Sequence, residues 1–222
     1  MPVDHEQIKI DIENNLSRDS RIGQSKIKIN FSDNTVILTG DVHSYSAREA
    51  AEMDVWSVKG VSAVENLLNV VFPPGYKSPS DSVIKDNVKR LISWDPDIYL
   101  ERIEVFVEKG RVVLEGSVDQ YWKKFRAEQL ARESGGVTAV VNKLVVDLTE
   151  KISDEKIGQD IMSLMGRNSA LDVNKITVEI KNGNVVLYGS VPSRRGFDVA
   201  EDLARYTPGV LSVENKLSIV PS

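Results

Sequence analysis

The sequence predicts an α+β protein built from three tandem α-β-β-α-β domains, and three observations carry that prediction. A V-x-L-x-G-x-V motif occurs three times, anchored on Gly40, Gly116 and Gly189. Twenty residues beyond each anchor a second motif, G-V-x-x-V-x-N-x-L, opens at Gly60, Gly136 and Gly209 and carries Asn66, Asn142 and Asn215. Between and before these motifs the apolar residues change from helical to alternating spacing in the same order each time. Segments 8–68, 84–144 and 157–217 align without a gap.

Each repeat opens with an amphipathic helix, since Ile84, Val88, Leu91 and Ile92 fall at i, i+4, i+7 and i+8, as do Ile157, Ile161, Leu164 and Met165. Asp81 and Asp154 stand where N-caps are expected. A half-buried strand follows, with Ile103, Val105 and Val107 alternating with Arg102, Glu104, Phe106 and Glu108. Lys109-Gly110 and Asn182-Gly183 mark tight hairpin turns, with Asp33-Asn34 in the matching place of repeat 1. The second strand leads into a second helix, and the G-V-x-x-V-x-N segment leads into a third strand. This order places two helices on one face of a three-stranded mixed sheet, with a right-handed crossover preferred.

The expected domain bounds are 1–72, 81–147 and 154–222. A linker rich in proline, 73–80, joins the first two, and a short one without Gly or Pro, 148–153, joins the last two. Repeats 2 and 3 are therefore expected to be coupled more closely than repeats 1 and 2.

The small-residue second helices (Ala127 and Ala131, Ala200 and Ala204), the V-x-L-x-G-x-V core and the closing G-V-x-x-V-x-N-x-L together resemble the BON domain of bacterial osmotically inducible and nodulation proteins. The resemblance covers nearly the whole chain. Repeat 1 departs from it at Asn15, where the others have Leu91 and Leu164, and at Val55, where they have Ala131 and Ala204. It implies the α-β-β-α-β fold, a bacterial source, and binding to phospholipid surfaces or envelope components, often under osmotic stress. Many relatives are periplasmic and begin with a signal peptide. Here the N-terminus lacks a basic stretch followed by an apolar run, so a cytoplasmic location as encoded is expected, with a periplasmic one as the alternative if a leader precedes this numbering.

Composition and motifs exclude much chemistry. With 222 residues, 41% hydrophobic and 27% charged, the chain is of ordinary globular composition. The absence of Cys removes disulfides, thiolate metal sites and cysteine nucleophiles. His5 and His43 are in no metal-ligating spacing and are expected in solvent, and no nucleophile elbow, P-loop or dinucleotide fingerprint occurs. No catalytic residue, metal site or cofactor is therefore expected. A net charge of −5 disfavours nucleic acid, and no two glycines stand three apart, as a KH loop requires. No apolar run is long enough to span a membrane. The recurrent glycines and asparagines are read as structural: the in-strand glycines for close helix–sheet packing or a bulge, the asparagines for local backbone hydrogen bonds.

One surface distinguishes the middle repeat. With Ala127 and Ala131 facing the sheet, Trp122 and Phe125 fall on the opposite side of the second helix, in the run Tyr121-Trp122-Lys123-Lys124-Phe125-Arg126. The equivalents are Ser46 and Glu49 in repeat 1, and Arg195 and Asp198 in repeat 3. Repeat 1 has its own outward pair, Met53 and Trp56, where the others carry Gln129 and Arg132 or Asp202 and Arg205. The middle repeat is also the electrically neutral one, with 12 basic and 12 acidic residues over 76–149. Two readings follow. In one, Trp122 and Phe125 insert at a phospholipid surface while Lys123, Lys124 and Arg126 add roughly 1 kcal/mol each. In the other, the aromatics form contacts between repeats, in a homo-oligomer or with an envelope protein, and the chain is an interaction scaffold. Trp94 is expected to cover the adjoining Asp95-Pro96 turn.

Overall fold

The computed structural model describes residues 5–23, 25–32 and 35–220; the turn expected at Asp33-Asn34 lies outside them. Repeat 1 comprises α1 (His5–Arg18), β1 (Lys26–Ser32), β2 (Thr35–Val42), α2 (Tyr45–Trp56) and β3 (Ala63–Val70). Repeat 2 comprises α3 (Asp81–Trp94), β4 (Ile103–Glu108), β5 (Arg111–Val118), α4 (Tyr121–Arg132), β6 (Ala139–Asn142) and β7 (Val145–Val146). Repeat 3 comprises α5 (Asp154–Gly166), β8 (Ile176–Lys181), β9 (Asn184–Val191), α6 (Arg194–Arg205) and β10 (Ser212–Ile219). In each sheet the second strand is central, antiparallel to the first and parallel to the third where the register is resolved: β2 pairs β1 antiparallel and β3 parallel, and β9 pairs β8 and β10 likewise. The chain is thus three α-β-β-α-β units with mixed sheets. In repeat 2 the third strand is interrupted at Lys143-Leu144, so β6 and β7 each pair β5 separately.

Both helices of a repeat share one core. In repeat 1, Ile8, Ile12 and Leu16 of α1 and Ala47, Ala51 and Val55 of α2 pack with Val36, Leu38 and Val42 of β2. In repeat 3 the corresponding set is Ile157, Ile161, Met165, Ala200, Ala204, Val185, Leu187 and Val191. Alanine on the sheet-facing side of the second helix lets its backbone approach the strands closely.

Two sequence expectations are corrected. Asp81 and Asp154 do not cap their helices; Ser80 and Ser153 occupy the cap positions, and Ser153 Oγ accepts from Lys156 N. The two aspartates instead hold the hairpin turns. Asp81 accepts from Lys109 N at 2.8 Å and Gly110 N at 2.9 Å, and Asp154 from Asn182 N at 2.7 Å and Gly183 N at 2.8 Å. Lys109 and Asn182 have φ near +50°, and each carboxylate satisfies the paired amides that this turn leaves without strand partners. At the aligned position of repeat 1, His5 stacks on Phe31 with ring centres 4.7 Å apart.

The second correction concerns the glycines within the strands. Gly40, Gly116 and Gly189 have φ of +115°, +114° and +116°, and a Cβ there would lie 2.0, 2.1 and 1.9 Å from the carbonyl oxygens of Lys26, Arg102 and Lys175. The neighbouring strand, not a helix, imposes glycine. Helix packing applies to the other set: a Cβ on Gly60, Gly136 or Gly209 would meet Ile8, Ile84 or Ile157 of the first helix at about 3 Å.

The chain forms two compact units. One holds Met1–Asp95, Glu104–Leu114 and Glu128–Asn142; the other holds Pro96–Ile103, Glu115–Ala127 and Lys143–Ser222. The middle repeat contributes to both, and α4 passes from one to the other.

Candidate functional site

Helix α4 follows directly on a central strand, as α2 and α6 do, but begins differently. Ser44 Oγ accepts from Ala47 N and Ser193 Oγ from Gly196 N, whereas the aligned residue of repeat 2 is Gln120. Ala127 and Ala131 are fully buried toward the sheet. Every other residue of α4 is also buried or half-buried, whereas α2 exposes Ser46, Glu49 and Met53, and α6 exposes Arg195 and Asp202. The outer side of α4 is therefore covered as well.

Its N-terminal half is covered by repeat 3. The Arg205 guanidinium carbon lies 3.7 Å from the Phe125 ring centre, and the Trp122 ring lies 5.9 Å from that of Tyr206. Tyr121 packs against the core of repeat 3. Arg205 itself is buried, paired with Glu201 and, at 2.6 Å, with Asp202. The C-terminal end of α4 meets repeat 1. Arg132 stands 5.4 Å from the Tyr45 ring centre and 3.3 Å from Glu49 Oε1, and it also pairs with Glu128 of its own helix. Burial works against the Arg132 charge, but Glu128, Tyr45 and Glu49 more than offset it and raise its pKa.

A second feature grows from the same helix start. Lys123 Nζ lies 5.4 Å from the Tyr99 ring centre and 5.6 Å from that of Trp122. With the Trp122–Tyr206 contact this makes a continuous row of Tyr99, Lys123, Trp122 and Tyr206. Its two ends are the exposed ones, Tyr99 at 61% and Tyr206 at 58%. Lys123 is fixed between the rings by Asp119, 2.9 Å from its ammonium group. The row presents three amphipathic rings around one neutralised cation.

The remaining residues singled out by sequence are dispersed. Lys124 and Arg126 are half-buried on α4. Met53 is exposed, but Trp56 packs against the core of repeat 1. Trp94 does not settle onto its turn: it is 72% exposed, with the Arg90 guanidinium 5.8 Å from its ring centre. His43 is half-buried, with Nδ1 3.2 Å from Ser25 Oγ, rather than in open solvent, whereas His5 is exposed.

The three asparagines tie the third strand to the second helix. Asn66 Nδ2 donates to Arg48 O and to Glu52, Asn142 to Glu128, and Asn215 to Phe197 O and to Glu201, while Leu68 N and Leu217 N donate to Oδ1 of Asn66 and Asn215. The second-helix glutamates Glu128 and Glu201 thus hold both this asparagine and the arginine four residues on, linking the strand to the inter-repeat contact. Sequence reasoning missed Arg132 and Arg205 as contact residues; the signal was an arginine at the same aligned position of repeats 2 and 3, where repeat 1 has Trp56. Among the described residues no group of three His, Cys, Asp or Glu side chains is placed to hold a metal ion, and no helix is long and apolar enough to cross a membrane.

Comparison with known proteins agrees with the repeat structure. The BON domain family model matches three times, over residues 4–71, 80–147 and 153–221. The chain is 27% identical to Osmotically-inducible protein Y of Escherichia coli K12, over 87% of this chain and 97% of that protein. It is 32% identical to the outer membrane lipoprotein DolP of Haemophilus influenzae, over 60% of this chain and 71% of that protein. A 21 kDa hemolysin of Actinobacillus pleuropneumoniae is 29% identical over 63% and 74%. Three family matches that coincide with three α-β-β-α-β units make this chain a member of the BON domain family, in three tandem copies.

Proposed function

We propose that this chain is a non-enzymatic, stress-related binding protein that associates peripherally with phospholipid surfaces of the cell envelope. The row of Tyr99, Lys123, Trp122 and Tyr206 carries the reading. Tyrosine and tryptophan rings with apolar bodies and polar tips favour the headgroup level of a bilayer, and here two are held largely exposed at the ends of a fixed row. Of the outward pair, Trp122 belongs to this row. Phe125, packed on Arg205, holds the repeats together instead. The name of one relative, an outer membrane lipoprotein, supports an envelope location over the cytoplasmic expectation, and that of another, an osmotically inducible protein, supports a stress-related role.

Because Lys123 is paired with Asp119, attraction rests on burial of rings more than on net charge. Co-sedimentation with anionic and zwitterionic vesicles at low and high salt tests this. Binding with a blue shift in tryptophan emission that persists at high salt is expected; no sedimentation under any of these conditions would reject it.

A second reading has its own observation. Phe125 under Arg205 and Tyr121 on the repeat 3 core favour the aromatics of α4 as inter-repeat contacts in a soluble scaffold that binds an envelope protein. Under it, vesicles leave tryptophan emission unchanged.

A further inference from the structure

The two joins between repeats use one aligned position with two different chemistries. Arg132 and Arg205 correspond in the ungapped alignment, and so do the residues they reach, Glu49 and Phe125. At the first join the contact is an ion pair of 3.3 Å by which Arg132, paired with Glu128 of its own helix, reaches across to Glu49, between side chains that are 26% and 48% exposed, beside a looser approach of 5.4 Å to the Tyr45 ring centre. At the second it is a guanidinium laid on a ring at 3.7 Å, with the arginine side chain 9% exposed and its charge matched within its own helix by Glu201 and Asp202.

These contacts respond differently to salt. The Debye length falls from about 10 Å at 0.1 M to about 3 Å at 1 M, which weakens exposed ion pairs, whereas a desolvated cation on a ring is little screened. The chain between the first two repeats also contains Pro73, Pro74 and Pro79, and a cleft lined by Tyr45, Arg48, Leu68, Thr138 and Val140 lies beside the ion pair. We propose that the join between repeats 1 and 2 is a hinge released by ionic strength, and that the join between repeats 2 and 3 is insensitive to it. Glu49 is the switch residue. Its carboxylate reaches across to Arg132, and that attraction is what counterions replace.

The chain has no cysteine, so introduced pairs carry the only spin labels. In the 222-residue chain, labels at Ser46→Cys and Glu133→Cys report the first join; both sites are exposed, and they align with the Trp122–Tyr206 contact of the second. Labels at Glu101→Cys and Arg195→Cys, also exposed, report the second join. Raising NaCl is expected to increase the long-distance population of the first pair about two- to fivefold, the range for loss of an exposed ion pair, and to leave the second pair unchanged. Sucrose of equal osmolality is expected to move neither, and Glu49→Gln to give the open distribution at low salt with no further response. A first pair that ignores salt, two pairs that respond alike, opening in sucrose, or a Glu49→Gln protein that still responds to salt would each overturn the proposal.

Discussion

The guanidinium carbon of Arg205 lies over the Phe125 ring, 3.7 Å from its centre, at the position where Arg132 meets Glu49 one repeat earlier. The same helix ends are thus joined once by a buried guanidinium on a ring and once by an exposed ion pair with a looser ring contact, 5.4 Å to Tyr45, beside it. Interchanging the two partners should interchange the behaviour. Phe125→Glu is expected to keep the second join closed at low salt and make it open at high salt, and Glu49→Phe to make the first join indifferent to salt, both read from label distances.

Removing the arginine is costlier than exchanging its partner. Arg205→Ala strips the ring of its cover and leaves Glu201 and Asp202 facing each other beside a buried surface. A loss of about 1–3 kcal/mol is expected in urea unfolding, below the cost of a fully buried pair because both carboxylates reach solvent. Arg205→Lys should recover little, since an ammonium cannot stack as a plane.

Asp81 and Asp154 each accept two backbone amides of a hairpin turn far along the chain. Replacing either by Ala should cost about 1–2 kcal/mol in urea unfolding. Substituting the cap residue Ser80, whose side chain makes no capping bond, should cost less. A larger effect at Ser80 than at Asp81 would return the aspartate to a capping role.

Asp54 is a carboxylate whose ionisation the fold opposes. Burial raises its pKa first, Asp19 adds to the rise, and Arg21 only partly counters them; Oδ2 is buried without a hydrogen-bond partner. With the folded pKa above the unfolded value, the group's contribution to stability is complete below the ordinary carboxylate range and is lost as pH rises through the raised value. Asp54→Asn should therefore raise the melting temperature at about pH 7 and lose that advantage near pH 3. Asp19, whose pKa is lowered mainly by its hydrogen bonds from Arg21, has the opposite sign.

Much of this fold is legible in the sequence, because repetition without gaps lets each motif be read three times. The helices, the hairpins at Lys109-Gly110 and Asn182-Gly183 and the sheet-facing alanines all follow from local spacing. The sequence is less informative where one pattern serves two purposes. An acidic residue at the start of a helix reads as a cap whether it bonds its own helix or, like Asp81, a distant turn. Gly116 reads as a packing glycine until the Arg102 carbonyl is seen beside it. The interruption of the third strand at Lys143-Leu144 has no signal, since the closing motif there is intact. The candidate site was half legible. Trp122 and Lys123 stand out by comparison of repeats, but Tyr99 and Tyr206 join them only through contacts distant in sequence.

Association with a membrane through the tyrosine ends of that row is checked by vesicle co-sedimentation of Tyr99→Ala with Tyr206→Ala, beside Phe125→Ala. Both tyrosines are exposed, so the double variant should keep its melting temperature and lose about tenfold in affinity for vesicles, while Phe125→Ala should melt earlier and still bind when folded. A double variant that sediments like the parent protein would contradict the account and leave the α4 aromatics as contacts between repeats.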